Sequence, residues 1–404
     1  RVGVDDNFFE LGGDSIISIQ VVSRARQLGL HLTPKALFQH QTLRALAQVV
    51  GTAGTALQID QGAVTGTTPL LPVQHSFFSE AIAQRHHWNQ SVLLVPSAPL
   101  HGAALEQALQ ALVHHHDALR LRFSEGDQGW QACHGDNAQP LLWQREVTDV
   151  QALTALCDDA QRSLDLAEGP LLRAVLATLA DGSQRLLLVI HHLVVDGVSW
   201  RILFEDLQQA YQQCLTGQPL SLPAKTSAYK AWAERLQAHA QSETLRQQLS
   251  YWQAQLQGFA QTLPGEDAQG SQQVTDAHTV QVELDAALTR QLLQQAPAAY
   301  RTQVNDLLLT ALARVICHWT GEHAALIELE GHGREALFDD VDLTRTVGWF
   351  TSLFPVRLPV AGPVGDTIKQ VKEHLRAIPD KGLGFGVLRY LGDTATRQAL
   401  TGLA

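Results

Sequence analysis

Two folding units of different class are predicted. Residues 1–50 read as a small all-α domain, and residues 67–404 as a larger α/β body with two lobes. Three observations predict them. The 404-residue length is more than one simple core takes, at ~150 residues per unit. Residues 51–66, GTAGTALQIDQGAVTG, are rich in Gly, Thr and Ala and read as a linker. Beyond the linker, helical periods alternate with short apolar runs.

In the first unit, Ser15 to Leu28 carries Ile16, Ile19 and Val22, a stripe widened by Ile17, Val21, Ala25 and Leu28. That spacing predicts an amphipathic helix, and Gly29 is placed to end it. Thr33-Pro34 opens a short helical turn, and 43–50 reads as a last short helix. Fifty residues with so few apolar positions make a marginal core. Part of this unit is therefore expected to precede Arg1.

In the larger unit, helices are predicted at 105–119, 201–215, 228–256, 304–319 and 368–378. Strands are predicted at 185–190, 280–284 and 324–329. The polar stretch 261–276 reads as a crossing between lobes at about 67–260 and 275–404.

Composition narrows the function. A hydrophobic share of 45% supplies a core. A net charge of −11 argues against nucleic acid as the main ligand, because phosphate backbones need a basic face. No apolar run reaches the ~18 residues that cross a bilayer, so no membrane partner is expected. Cys133, Cys157, Cys214 and Cys317 form no C-x-x-C pair, which fits a reducing cytoplasm better than zinc or disulfides. His114-His115-His116 is discounted as a metal site, because adjacent helical residues do not share a face.

Three strings carry chemistry. In Leu11-Gly12-Gly13-Asp14-Ser15-Ile16, two glycines turn the chain into a helix start. Free N–H groups there suit a phosphate on Ser15, while the bland reading is an N-cap. In His191-His192-Leu193-Val194-Val195-Asp196-Gly197-Val198-Ser199-Trp200, an apolar strand delivers two histidines to its end. Alternation sends them to opposite faces, so one of them faces a given cleft. An imidazole exchanges protons near neutral pH, although a buried structural pair is the bland alternative. In Glu330-Gly331-His332-Gly333-Arg334-Glu335, a strand delivers Glu330 to its end and two glycines permit close backbone approach. A carboxylate in a partly dry cleft can exchange protons at pH 7; the bland reading is a charged surface loop.

Together these strings resemble a known assembly. D-N-F-F-E-L-G-G-D-S-I resembles the peptidyl carrier domains of nonribosomal peptide synthetases, although the family's first helix has no counterpart after Arg1. H-H-x-x-x-D-G resembles the condensation superfamily, whose fold is like chloramphenicol acetyltransferase. V-S-W-R-I-L-F-E-D-L and E-G-H-G-R-E resemble its epimerization branch. So do P-L-L-P-V-Q at 69–74, V-N-D-L-L-L at 304–309, V-G-W-F-T-S-L-F-P at 347–355 and K-G-L-G-F-G-V-L-R-Y at 381–390. The last string follows Pro379 rather than a strand, so a dinucleotide loop is disfavoured. The family continues with further strands, so the C-terminal lobe is expected to be incomplete at Ala404.

The resemblance implies roles. Ser15 carries 4′-phosphopantetheine, and its thioester needs neither metal nor pyridoxal phosphate. His192 and Glu330 are the acid/base pair that inverts the Cα of an L-aminoacyl or peptidyl group. His191, Asp196, Gly197, Trp200 and Arg334 are structural, with Asp196 fixing its turn through a buried ion pair. Partners are the chain's own carrier domain, an upstream adenylation domain and a downstream condensation domain. The alternatives are a peptide-bond-forming condensation domain and a non-catalytic module that docks carriers.

Overall fold

The computed structural model describes residues 2–52, 57–127, 129–136, 139–258, 263–267, 269–271 and 273–401. Parts of the sequence-read linker (53–56) and inter-lobe crossing (261, 262, 268 and 272), and the last three residues, fall outside them.

The first domain holds α1 (Ser15–Gln27), β1 (Leu30–His31), α2 (Pro34–Gln39), α3 (Leu43–Ala47) and β2 (Gly51–Thr52). Its core is Val22, Leu32 and Leu37, with Phe8 and Val50 packed on them. Thr33 and Thr42 cap α2 and α3 with their hydroxyls. The predicted all-α unit gains a two-residue antiparallel ladder, Leu30 against Thr52 and His31 against Gly51, and a single bridge between Asn7 and Thr42.

The first lobe of the body runs β3 (Gly66–Thr68), α4 (Pro72–Ser79), β4 (Asn89–Leu94), α5 (Gly102–His115), β5 (Leu121–Gly126), β6 (Gly129–His134) and β7 (Leu142–Val147). It continues with α6 (Val150–Gln161), β8 (Leu172–Leu179), β9 (Gln184–His191), α7 (Gly197–Thr216), α8 (Tyr229–His239), α9 (Glu243–Arg246) and α10 (Leu249–Leu256). Its main sheet has the order β4-β9-β8-β7, with β7 and β8 parallel and the other pairs antiparallel. β9 reads as an unbroken apolar run because it is the interior strand between β4 and β8, buried on both faces from Leu186 to His191. The single helix predicted over 228–256 is broken into three. Ser242 leaves helical geometry and caps α9 through its hydroxyl, a stop that the apolar period alone does not show.

The second lobe holds α11 (Ala286–Arg290), α12 (Ala296–Tyr300), α13 (Val304–Thr320), β10 (Ala324–Gly331), β11 (Ser352–Pro359), α14 (Val364–Arg376), α15 (Leu383–Gly386) and α16 (Thr394–Thr401). β10 and β11 form an antiparallel pair across which Glu330 faces Leu353. The strand predicted at 280–284 does not form. Val280 and Val282 are almost fully exposed, and no described strand lies beside them to complete a ladder. Alternation marks a strand only where a neighbour takes the backbone bonds.

One buried ion pair ties the lobes. Asp196, on the first lobe, caps α7 by accepting from Ser199 N–H at 2.8 Å. Both of its oxygens accept from Arg334 Nη2 of the second lobe, at 2.9 and 3.0 Å. Phe350 N–H adds a bond at 3.3 Å, and Arg334 Nη1 donates to the carbonyls of Leu343 and Thr346. Burial pulls the Arg334 guanidinium down from its usual value and Asp196 pulls it back up. The second lobe's loop comes this close because of Gly333. Its φ is +67°, and a Cβ there would lie 1.6 Å from the Phe350 carbonyl oxygen.

Removing one member strands the other's charge. Arg334→Met should cost about 3–5 kcal/mol, read from the urea midpoint of the full chain. Joining it with Asp196→Asn should cost less than Arg334→Met alone, because no buried charge is then orphaned. A double variant as unstable as the sum of the singles would refute the pairing.

Candidate active site

The strand end holds the two histidines in different states. His191 is fully buried. Its Nε2–H donates to the Arg85 carbonyl at 2.7 Å, and its Nδ1 accepts from Leu193 N–H at 3.2 Å. Burial pushes its pKa down from 6.5 to about 4, so the ring is neutral at pH 7. His192 is half-buried and opens a 3₁₀ turn. Its Nδ1 meets the Val195 carbonyl at 2.9 Å, and a carbonyl only accepts, so Nδ1 carries the proton. Its Nε2 is then the acceptor, and it lies 3.0 Å from the Gln90 side-chain nitrogen. The two neighbours are fixed in opposite tautomers.

Several side chains build the surroundings of His192. The Trp349 ring lies over it, with centroids 4.2 Å apart at 36°. Trp200 Nε1–H donates to Gln90 Oε1 at 2.7 Å. Gln74, from the P-L-L-P-V-Q string, is fully buried and holds the histidine turn by donating to the Leu193 carbonyl at 3.1 Å. Gly197 begins α7, and a Cβ there would meet nothing within 4 Å. The entry into α7 is therefore made by the Asp196 cap and not by the glycine's small size.

Glu330 sits near the end of β10 and is exposed. Among the described residues it forms no hydrogen bond or ion pair, so no dry cleft encloses it here, contrary to the sequence expectation. Its loop is firmly built nonetheless. His332 Nδ1 accepts from Arg334 N–H at 3.0 Å, and His332 Nε2 lies 3.4 Å from Glu335. Glu335 also pairs with Lys381 at 3.2 Å. Glu328, on the same face of β10 as Glu330, lines a cleft between α4, β11 and α15. Ser76, Trp232, Phe350 and Leu383 share that lining, whereas His192 and Glu330 do not. One wall joins the two candidate groups: Trp349 covers His192, Phe350 packs at Gly333, and Ser352 pairs with Gly331.

Ser15 is the first residue of α1, and Asp14 fills the cap by accepting from Ile17 N–H at 2.7 Å. The Ser15 hydroxyl is thus spared the capping role, and among the described residues it has no partner. Gly13 is required for this presentation, because a Cβ there would lie 2.5 Å from the Phe8 ring. A half-exposed hydroxyl at a helix N-terminus suits a phosphodiester. The first domain rests on the body through Arg24–Glu205 at 3.4 Å, Arg26–Asp342 at 2.5 Å, and Lys381 over the Phe38 ring at 5.0 Å. Residues 60–66, read as linker, are tied down by Gln61 and Gly62 on Lys225 and by Val64 N–H on Asp117.

The histidine run behaves unlike the rule used to dismiss it. α5 ends at His115, so His115 and His116 are not on one helix, and with Asp206 they gather ligand atoms within 4.8 Å. That carboxylate is already shared by His116 at 2.8 Å and Arg345 at 2.5 Å. Burial keeps His115 low, at about 4.

Sequence reasoning missed Gln90 and did not single out Trp349. Trp349 lies inside the V-G-W-F string, but Gln90 is a lone polar residue on β4 with no motif around it.

His191 and His115 both have folded pKa values near 4, below the 6.5 of an unfolded chain. Their contribution to stability is therefore full above pH 6.5 and is lost as pH falls toward 4. The thermal midpoint should drop across that window, and His191→Gln should flatten the drop. An unchanged slope in His191→Gln would contradict the buried neutral ring.

Comparison with known proteins agrees with this architecture. The family model described as condensation domain matches residues 64–403, and that described as phosphopantetheine attachment site matches residues 1–50. One of the linear gramicidin synthase proteins of Brevibacillus parabrevis is 48% identical over 97% of this chain, which spans only 5% of that protein's length. The solved epimerization domain from the third module of tyrocidine synthetase B is 38% identical, with a TM-score of 0.77, over 85% of this chain and 78% of that one. The X-domain from teicoplanin biosynthesis, at 23% identity and a TM-score of 0.71, covers 82% of this chain and 75% of its own, and shows the shared fold. The larger body is thus the two-lobed chloramphenicol acetyltransferase-like fold. No described helix is long and apolar enough to cross a membrane. This chain belongs to the condensation family, with a phosphopantetheine-bearing carrier domain at its front.

Proposed function

We propose that this chain epimerizes the Cα of an L-aminoacyl or peptidyl thioester, as part of a nonribosomal peptide synthetase. The carrier domain is residues 1–50, the linker 51–66 and the epimerization domain 67–404. Ser15 would hold the phosphopantetheine arm, whose thioester acidifies the neighbouring Cα–H. His192 and Glu330 act as the acid/base pair: one takes the Cα proton and the other returns a proton on the opposite face. Each positioned group supplies roughly 10²–10⁴ in rate. His191, Asp196, Trp200 and Arg334 hold the two groups in place. The upstream adenylation domain would choose the substrate and a downstream condensation domain would consume the product, in the cytoplasm.

The observation that carries this reading is the His192 ring. Its Nδ1–H is fixed on the Val195 carbonyl, which leaves Nε2 as a base beside the wall that leads to the Glu330 loop. The similarity to an epimerization domain at 38% identity supports the same branch.

The test loads Ser15 with an L-aminoacyl pantetheine in deuterated water and follows Cα deuterium and chirality. Deuterium uptake with D product is expected. His192→Ala and Glu330→Gln should each lower it by at least about 10²-fold while loading at Ser15 stays intact. Transfer to an added acceptor carrier without inversion would identify a condensation domain instead. An inert loaded chain would identify a docking module.

A further inference from the structure

Gln90 contacts the candidate base directly, yet no motif marks it. Its register on β4, opposite Ile190 of β9, brings its side chain to the turn that follows β9. The orientation of its amide is settled by chemistry. Trp200 Nε1–H can only donate, so the Gln90 atom it meets at 2.7 Å is the carbonyl oxygen. The NH₂ group must then face His192, and it lies 3.0 Å from Nε2. A neutral amide NH₂ has two hydrogens. One reaches the His192 lone pair, and the other has no partner among the described residues.

Gln90 is half-buried, so a substrate can reach it. A Cα–H presented to Nε2 displaces the Gln90 hydrogen from that lone pair and carries its thioester carbonyl one bond away, on the side where the amide nitrogen lies 3.0 Å from Nε2. As the Cα proton leaves, negative charge grows on that carbonyl oxygen. A fixed donor aimed there stabilises the charge without reorganising at the moment of reaction.

We propose that Gln90 is a catalytic residue, whose side-chain NH₂ donates to the thioester carbonyl oxygen, and that Trp200 is the positioning residue that keeps the NH₂ on that side. The electron balance is simple. The C–H pair moves into the Cα–carbonyl bond, the carbonyl π pair moves to oxygen, and the proton goes to the acid/base group. Reprotonation reverses these moves, with no oxidant or co-reactant. The inference rests on the epimerase reading above.

The experiment uses the full chain loaded at Ser15, with a soluble aminoacyl thioester as a second substrate from which KM can be read. Gln90→Ala should lower the turnover number for Cα exchange by about 10²–10³-fold with KM nearly unchanged. Trp200→Phe keeps an aromatic ring but removes the N–H, and should lower turnover by roughly tenfold. Exchange in Gln90→Ala within twofold of the unaltered chain would overturn the proposal. So would a loss that appears wholly in KM. A separate readout guards against failure of the epimerase reading. In the ¹⁵N-histidine spectrum, the signals lost in His192→Ala should show a protonated Nδ1 and a bare Nε2, and Trp200→Phe should disturb that pattern. If the unaltered chain exchanges no Cα proton yet shows this tautomer, the epimerase reading fails. A bare Nδ1 would instead refute the Gln90 contact itself.

Discussion

The structure depends on the Asp196–Arg334 pair. Asp196 follows closely on His192, and Arg334 follows closely on Glu330, so one bidentate contact sets the relation of two loops from different lobes. The pair is buried, and neither charge would be tolerated there alone. The polar groups beside it are arranged around it. Ser199 Oγ both donates to Asp196 and receives from Gly348 N–H, while Phe350 N–H completes the carboxylate's shell. An ion pair of this kind adds little net stability compared with well-packed apolar groups, but it is directional. Its effect here is to fix register between the two lobes.

Much of this was legible in the sequence because it was local. The helix α1 with its stop at Gly29, the buried strand before His191 and the strand before Glu330 all follow from apolar spacing and breakers. What escaped was non-local. Val280 and Val282 alternate as a strand would, but alternation does not supply a neighbour, and none of the described strands lies beside them. The break at Ser242 turned on one hydroxyl choosing the backbone as its partner. Among the candidate groups, motif strings point to His192, Glu330 and Arg334. Gln90 has no string, because its position comes from the β4–β9 register, which is decided by pairing between stretches far apart in the chain.

The first domain's contacts are of a different kind from the lobe seam. Arg24 and Glu205 are both substantially exposed, and such pairs contribute about 0–1 kcal/mol, whereas Arg26–Asp342 is the more sheltered contact. Lys381 over Phe38 is also solvent-facing on the lysine side. Contacts of this kind hold the carrier domain on the body through a few side chains. Its covalent link to the body supplies the proximity that such contacts do not.

The adjacent histidines show how one strand end produces two chemistries from identical side chains. Up to His191 the chain is a strand, and the ring goes into the core, where burial keeps it neutral and its Nε2–H is spent on the Arg85 carbonyl. At His192 the strand gives way to a 3₁₀ turn, so the next ring goes to the other side and bends back on the Val195 carbonyl of its own turn. That local bond protonates Nδ1 and leaves Nε2 bare. The tautomer of the outer ring is therefore a consequence of where β9 stops, in the short turn that leads to the Asp196 cap. Helix cap, ion pair and ring tautomer are three readings of one backbone transition, and this is why a single short string carries so much of the site.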